Sequence, residues 1–108
     1  MDFSFYVDDD VLKVKFVSAA VLGKLSSSGH SAAGDYANHT IRLFRGEYRR
    51  TQRTVVFHEL GHYLVAWLEL KPAKASEEDL CDLLTWLPLI LLDERNEALR
   101  EFLGLTLG

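Results

Sequence analysis

Three residues of this chain stand at a spacing that can do chemistry: His58, Glu59 and His62, in the order His-Glu-x-x-His. Two imidazoles four residues apart on a helix project from one side, about one turn apart, close enough to share a metal ion. Neutral imidazole is a standard zinc ligand. A carboxylate beside the first histidine lies next to such an ion without binding it. From there it can take a proton from an attacking water and pass it to a leaving amine. The chemistry implied is zinc-assisted hydrolysis, with one ion per chain.

Two histidines hold zinc poorly, and catalytic sites normally add a third protein ligand while leaving one position open. His30, His39, Cys81 and the acidic run Glu77-Glu78-Asp79 are the candidates. An antiparallel return after Lys71-Pro72 brings the start of the next helix back toward His62. Glu77 stands three residues before Leu80 and seven before Leu84, so it prolongs the edge of an apolar stripe. Glu78 points nearly opposite, and Asp79 has the shorter reach. The spacing favours Glu77, with Glu78 and Asp79 as alternatives, and Cys81 reads as a small core residue. Tyr36, Tyr63 and His39 are candidate donors to an oxyanion; Tyr63 follows the second histidine and reads as packing. Trp67 and Trp86 read as packing too, and Asp8-Asp9-Asp10 as a solvated turn rather than a calcium loop.

The elements that must position these residues follow from periodicity. Residues 49–70 contain no proline and one glycine, and Val55, His58, Leu60/His62 and Val65 recur at helical steps. Lys71-Pro72 marks the end of that helix. Ser76 is a good N-cap for a second helix whose first turn carries three acids. Leu80, Leu83, Leu84, Leu87 and Leu91 form its apolar stripe, and Pro88 predicts a kink or a split. A last helical segment, 93–103, places Ala98, Leu99, Phe102 and Leu103 on one side. Upstream the period is two. Residues 3–7 and 11–17 form a hairpin about the aspartates, and 39–44 form a further strand. Residues 18–37 read as loop, with a flexible stretch at 26–29 and one helical turn at most. Strands first and helices afterwards make an α+β domain.

The 108 residues amount to one domain, 1–108, with 48% hydrophobic and 26% charged residues, an ordinary globular balance. The longest apolar run, 87–92, is six residues, far below the roughly 20 of a membrane span. The first residues carry neither a basic leader nor an apolar core of a signal peptide. A single cysteine suits a reducing compartment. Net charge is −4, which argues against general nucleic-acid binding, but it is unevenly placed. Residues 1–54 hold eight Lys/Arg against six Asp/Glu, and residues 55–108 four against ten. Arg42, Arg45, Arg49, Arg50 and Arg53 read as a solvated strand end and helix start rather than a patch for an anionic partner.

Residues 56–64, Val-Phe-His-Glu-Leu-Gly-His-Tyr-Leu, resemble the active-site helix of zincin metallopeptidases. More narrowly, residues 11–103 resemble the small phage- and prophage-type HExxH proteins related to the ImmA/IrrE group. Residues 34–43 are similar to the strand that precedes the helix there. Glu77-x-x-Leu80-x-x-Leu83-Leu84 is similar to their downstream helix, whose glutamate is the third metal ligand. The resemblance implies a minimal gluzincin-like fold, a small twisted sheet packed on the HExxH helix and a second, glutamate-bearing helix. It also implies zinc-dependent hydrolysis of a peptide or protein, with His58, His62 and Glu77 on the metal and Glu59 as general base. The substrate would be laid along an edge strand, 39–44 here, in the cytoplasm of a bacterial or phage-infected cell. Pro88 and a longer linker between His62 and Glu77 depart from that pattern. The alternative is a zinc-stabilised binding, regulatory or phage assembly module without catalysis.

Overall fold

A computed structural model describes residues 2–25, 34–74 and 76–105, by backbone alone at 23–25, 34–37 and 72. Among these residues the order is β1 (Phe3–Val7), β2 (Asp10–Val17), α1 (Ala19–Leu25), β3 (Gly34–Ala37), β4 (Thr40–Phe44), α2 (Arg49–Trp67), α3 (Glu77–Leu92) and α4 (Glu97–Leu103). Short 3-10 turns, Pro72–Lys74 and Glu94–Asn96, precede the last two helices. The fold is α+β. The expected hairpin is present, with Val7 opposite Asp10 and Asp8 in the left-handed region at φ 54°. His30 and the stretch 26–29 lie outside the described residues. The segment read as loop yields a helix, α1, and a strand, β3.

The sheet order is β1-β2-β4-β3, with β2 and β4 parallel and the outer pairs antiparallel. The expected edge strand is therefore interior: β4 is flanked by β2 and β3, because β3, which periodicity does not reveal, folds back on it. The two-residue turn between them, Asn38-His39, has φ of 53° and 58°. These are the signs of a type I′ turn, whose twist matches that of the strands it joins. Thus His39 belongs to the turn rather than to the strand.

Inward-facing Phe5, Val7, Leu12, Val14, Ile41 and Leu43 are fully buried and meet Val56, Leu60 and Leu64 of α2. Each such side chain contributes about 1.5–3 kcal/mol through burial. Helix α2 lies across β3 and β4, while α4 and the Glu94–Asn96 turn lie against β1. The Gln52 amide donates to Phe44 O at 3.1 Å and ties the start of α2 to the end of β4. Helix α2 stops three residues before the expected Leu70. Leu70 N–H donates to Val65 O, Glu69 N–H donates to Ala66 O, and Glu69 takes φ 55°. These bonds satisfy the last carbonyls of the helix before Pro72 is reached.

Ser76 caps α3 as expected, in a reciprocal box with Asp79. Pro88 does not split the helix, which runs unbroken to Leu92. Pro88 and Leu84, the residue whose carbonyl loses its donor, are both exposed, so water can serve that oxygen. The stripe is only half right. Leu83, Trp86, Leu87 and Leu91 pack on the core and Ile90 is buried, but Leu80 and Leu84 remain 54% and 70% exposed. The edge-on contact of Trp86 with Trp67, 4.7 Å between ring centres, sets the rotation of α3 and favours its C-terminal half.

Candidate metal centre

Helix α2 buries Gln52, Val56, Glu59, Leu60, Tyr63 and Leu64, one helical face against the sheet. His58 and His62 flank that face and are exposed, whereas Glu59 is only 9% exposed. The motif thus straddles the boundary between core and solvent, carboxylate inside and imidazoles at the rim. The two Nε2 atoms face each other at 3.2 Å, with the rings nearly perpendicular at 83°. Two nitrogens on a tetrahedral zinc, each at about 2.0–2.1 Å, are about 3.3–3.4 Å apart. The pair therefore fits that ion with little adjustment.

Glu77 opens α3 and is exposed, as are Glu78 and Cys81, while Asp79 is half-buried in the cap. Cys81 is not the core residue expected: it is exposed, and in the N-terminal half of α3 it is Leu83 that packs on the core. Among the described residues no third His, Cys, Asp or Glu gathers with His58 and His62. The expectation that Glu77 prolongs a buried edge fails with the exposure of Leu80 and Leu84.

Tyr63 packs as expected. It is 3% exposed, and its hydroxyl donates to Asp10 Oδ2 at 2.5 Å. Asp10 was hidden in an acidic run read as a turn. Its parity with Leu12 and Val14 could have placed it on the inward side of β2. His39, exposed in its turn, sets its ring edge-on to Tyr63 at 5.5 Å. A line of polar side chains, His39, Tyr63 and Asp10, therefore begins one residue beyond the second histidine. Tyr36 lies on β3.

No family model, no curated protein and no solved structure matches the chain. Two cavities, of about 240 and 330 Å³, lie at the other end of α2. Phe16, Arg45, Arg49 and Gln52 line the first, and Phe3, Arg49, Arg53 and Phe102 the second. Among the described residues no helix is long and apolar enough to cross a membrane.

Proposed function

We propose that the protein is a zinc-dependent metallopeptidase of minimal zincin-like fold, related to the phage and prophage HExxH proteins. The observation that carries this reading is the opposed Nε2 pair at 3.2 Å, with the buried Glu59 next to His58 in the chain. His58 and His62 would hold the ion, with Glu77 as third ligand and Glu78 or Asp79 as alternatives. Zinc bound there supplies Lewis acidity, polarising a peptide carbonyl and lowering the pKa of water. Glu59 accepts the proton of the attacking water and delivers it to the leaving amine. Burial holds that carboxylate in one orientation, so its reach is fixed before substrate arrives. A mixed sheet on the HExxH helix, followed by a helix with a glutamate in its first turn, supports the reading. A peptide or protein substrate would add to the sheet at β3, the strand beyond β4, and the cytoplasm is the proposed compartment.

The test is metal content by elemental mass spectrometry, on untagged protein purified without added metal. About one zinc per chain is expected, lost in His58→Ala and reduced in Glu77→Ala. Glu59→Gln should keep the zinc and lose hydrolysis of an unfolded protein substrate. Absence of zinc after reconstitution, or undiminished cleavage by Glu59→Gln, overturns the proposal. The position of the two cavities, away from the histidines, favours a second reading: a zinc-stabilised binding or assembly module. In that case zinc binds in the parent and in Glu59→Gln alike, and neither cleaves.

A further inference from the structure

The two ends of α2 carry opposite surfaces. Nineteen residues make this helix about 28 Å long. At its C-terminal end Trp67 meets Trp86 in the middle of α3, and in the first half of α3, among the described residues, Leu83 alone packs on the core. Glu77, Glu78, Leu80, Cys81, Asp82 and Leu84 are all exposed there. Leu80 and Leu84, one turn apart, make an apolar ridge with acids around it, and no Lys or Arg occurs between residues 75 and 92. At the N-terminal end of α2, Tyr48 is 82% exposed, with Arg45 and Arg50 exposed beside it. Neither arginine forms an ion pair among the described residues, and Glu47 is turned back on the Tyr48 N–H at 3.2 Å.

We propose that these surfaces are each other's partners: the protein associates head to tail, the Leu80/Leu84 ridge of one copy seating on the Tyr48 corner of the next. Tyrosine and arginine are the residues that most often anchor protein interfaces, and here they meet leucines ringed by carboxylates. Charge selects this occupant over a symmetric one. Pairing two copies of α3 through the same ridge would set Glu77, Glu78 and Asp82 against their own kind with no cation between them. A contact between two different surfaces is heterologous, so it propagates from copy to copy unless the rotation closes a ring.

Sedimentation velocity of the full chain across a concentration series, with a chelator present to prevent bridging by metal, tests this. The average mass should rise past that of a dimer, and about 1 M salt, where the Debye length is ~3 Å, should weaken association about tenfold or more. Glu78→Arg with Asp82→Arg should give monomers, as should Arg45→Ala with Arg50→Ala, whose neutral corner offers the reversed ridge no carboxylate in place of the lost arginines. All four positions are exposed, and unchanged melting curves show that the variants fold. Mixing the two double variants is the decisive arm, because each keeps the surface the other has lost. The mixture should form a complex that stops at one copy of each. Monomers at every concentration overturn the proposal and leave the ridge to a different protein. A dimer abolished by the α3 variant alone also overturns it, in favour of symmetric pairing.

Discussion

Asn96 and the His58–His62 pair are both polar groups carried on helical segments, and their surroundings differ in every respect. Asn96 is fully buried; its Oδ1 accepts from Tyr6 N–H at 2.6 Å, and its Nδ2 donates to Tyr6 O and Ile90 O, both at 2.8 Å. Around it, Arg100 donates to Leu91 O and Asp93 O, and Arg95 pairs with Asp93 while lying 4.1 Å above the Tyr6 ring. These bonds satisfy the last carbonyls of α3 and dock that end against β1. The histidines are exposed and face one another. A group whose bonds all close within the fold stabilises it. The solvent-facing pair closes only on itself, at 3.2 Å, and leaves little for the fold to lose. Both ends of this contrast can be measured.

The largest effect is expected at Asn96. Its replacement by alanine leaves the Tyr6 amide and the Ile90 carbonyl buried without their partner, a loss of about 3 kcal/mol or more in urea unfolding. Zinc comes next. At a free concentration a hundredfold above its dissociation constant it should stabilise the parent by about 2.7 kcal/mol, and His62→Ala should forfeit that gain. Tyr63→Phe removes one partly buried hydroxyl bond, at a cost of about 1 kcal/mol. Without metal, His58→Ala should change stability by less than about 0.5 kcal/mol, since an exposed side chain leaves no cavity. A larger loss would make the pair structural and erase the contrast.

The smallest effect is in acid. The Arg95 guanidinium and backbone N–H, both bonded to Asp93, hold its carboxyl at about 2, below its ordinary 3.8. Its contribution is therefore full above about pH 4 and disappears as the pH falls through about 2. Asp93→Asn should flatten that part of the stability curve, as followed by circular dichroism.

Periodicity alone places α2, the capped start of α3 and the β1–β2 hairpin, because each repeats an apolar step over several turns or pairs. What it could not supply was anything set by distant contact. Residues 34–37, Gly-Asp-Tyr-Ala, carry little β-branched or alternating signal and become β3 by pairing with β4. The leucine stripe of α3 is real in sequence, yet the tryptophan pair decides which half of it is covered. The partners of Tyr63 and Asn96, 53 and 90 residues away, have no local signature. The histidine pair was legible because its geometry is that of a single helical turn; Glu77 was harder to place because its position depends on how a second helix docks.

The bond between Asn96 and Tyr6 has one further consequence. An asparagine side chain presents the same donor and acceptor as a peptide unit, so at Tyr6 it takes the place of a neighbouring strand. Arg95 continues the cover by donating to Asp8 O at 2.8 Å. The sheet is thereby made one-sided: growth is blocked at β1, and among the described strands β3 is where another can be added. Among the described strands, an extended chain that pairs with this sheet by its backbone would do so along β3.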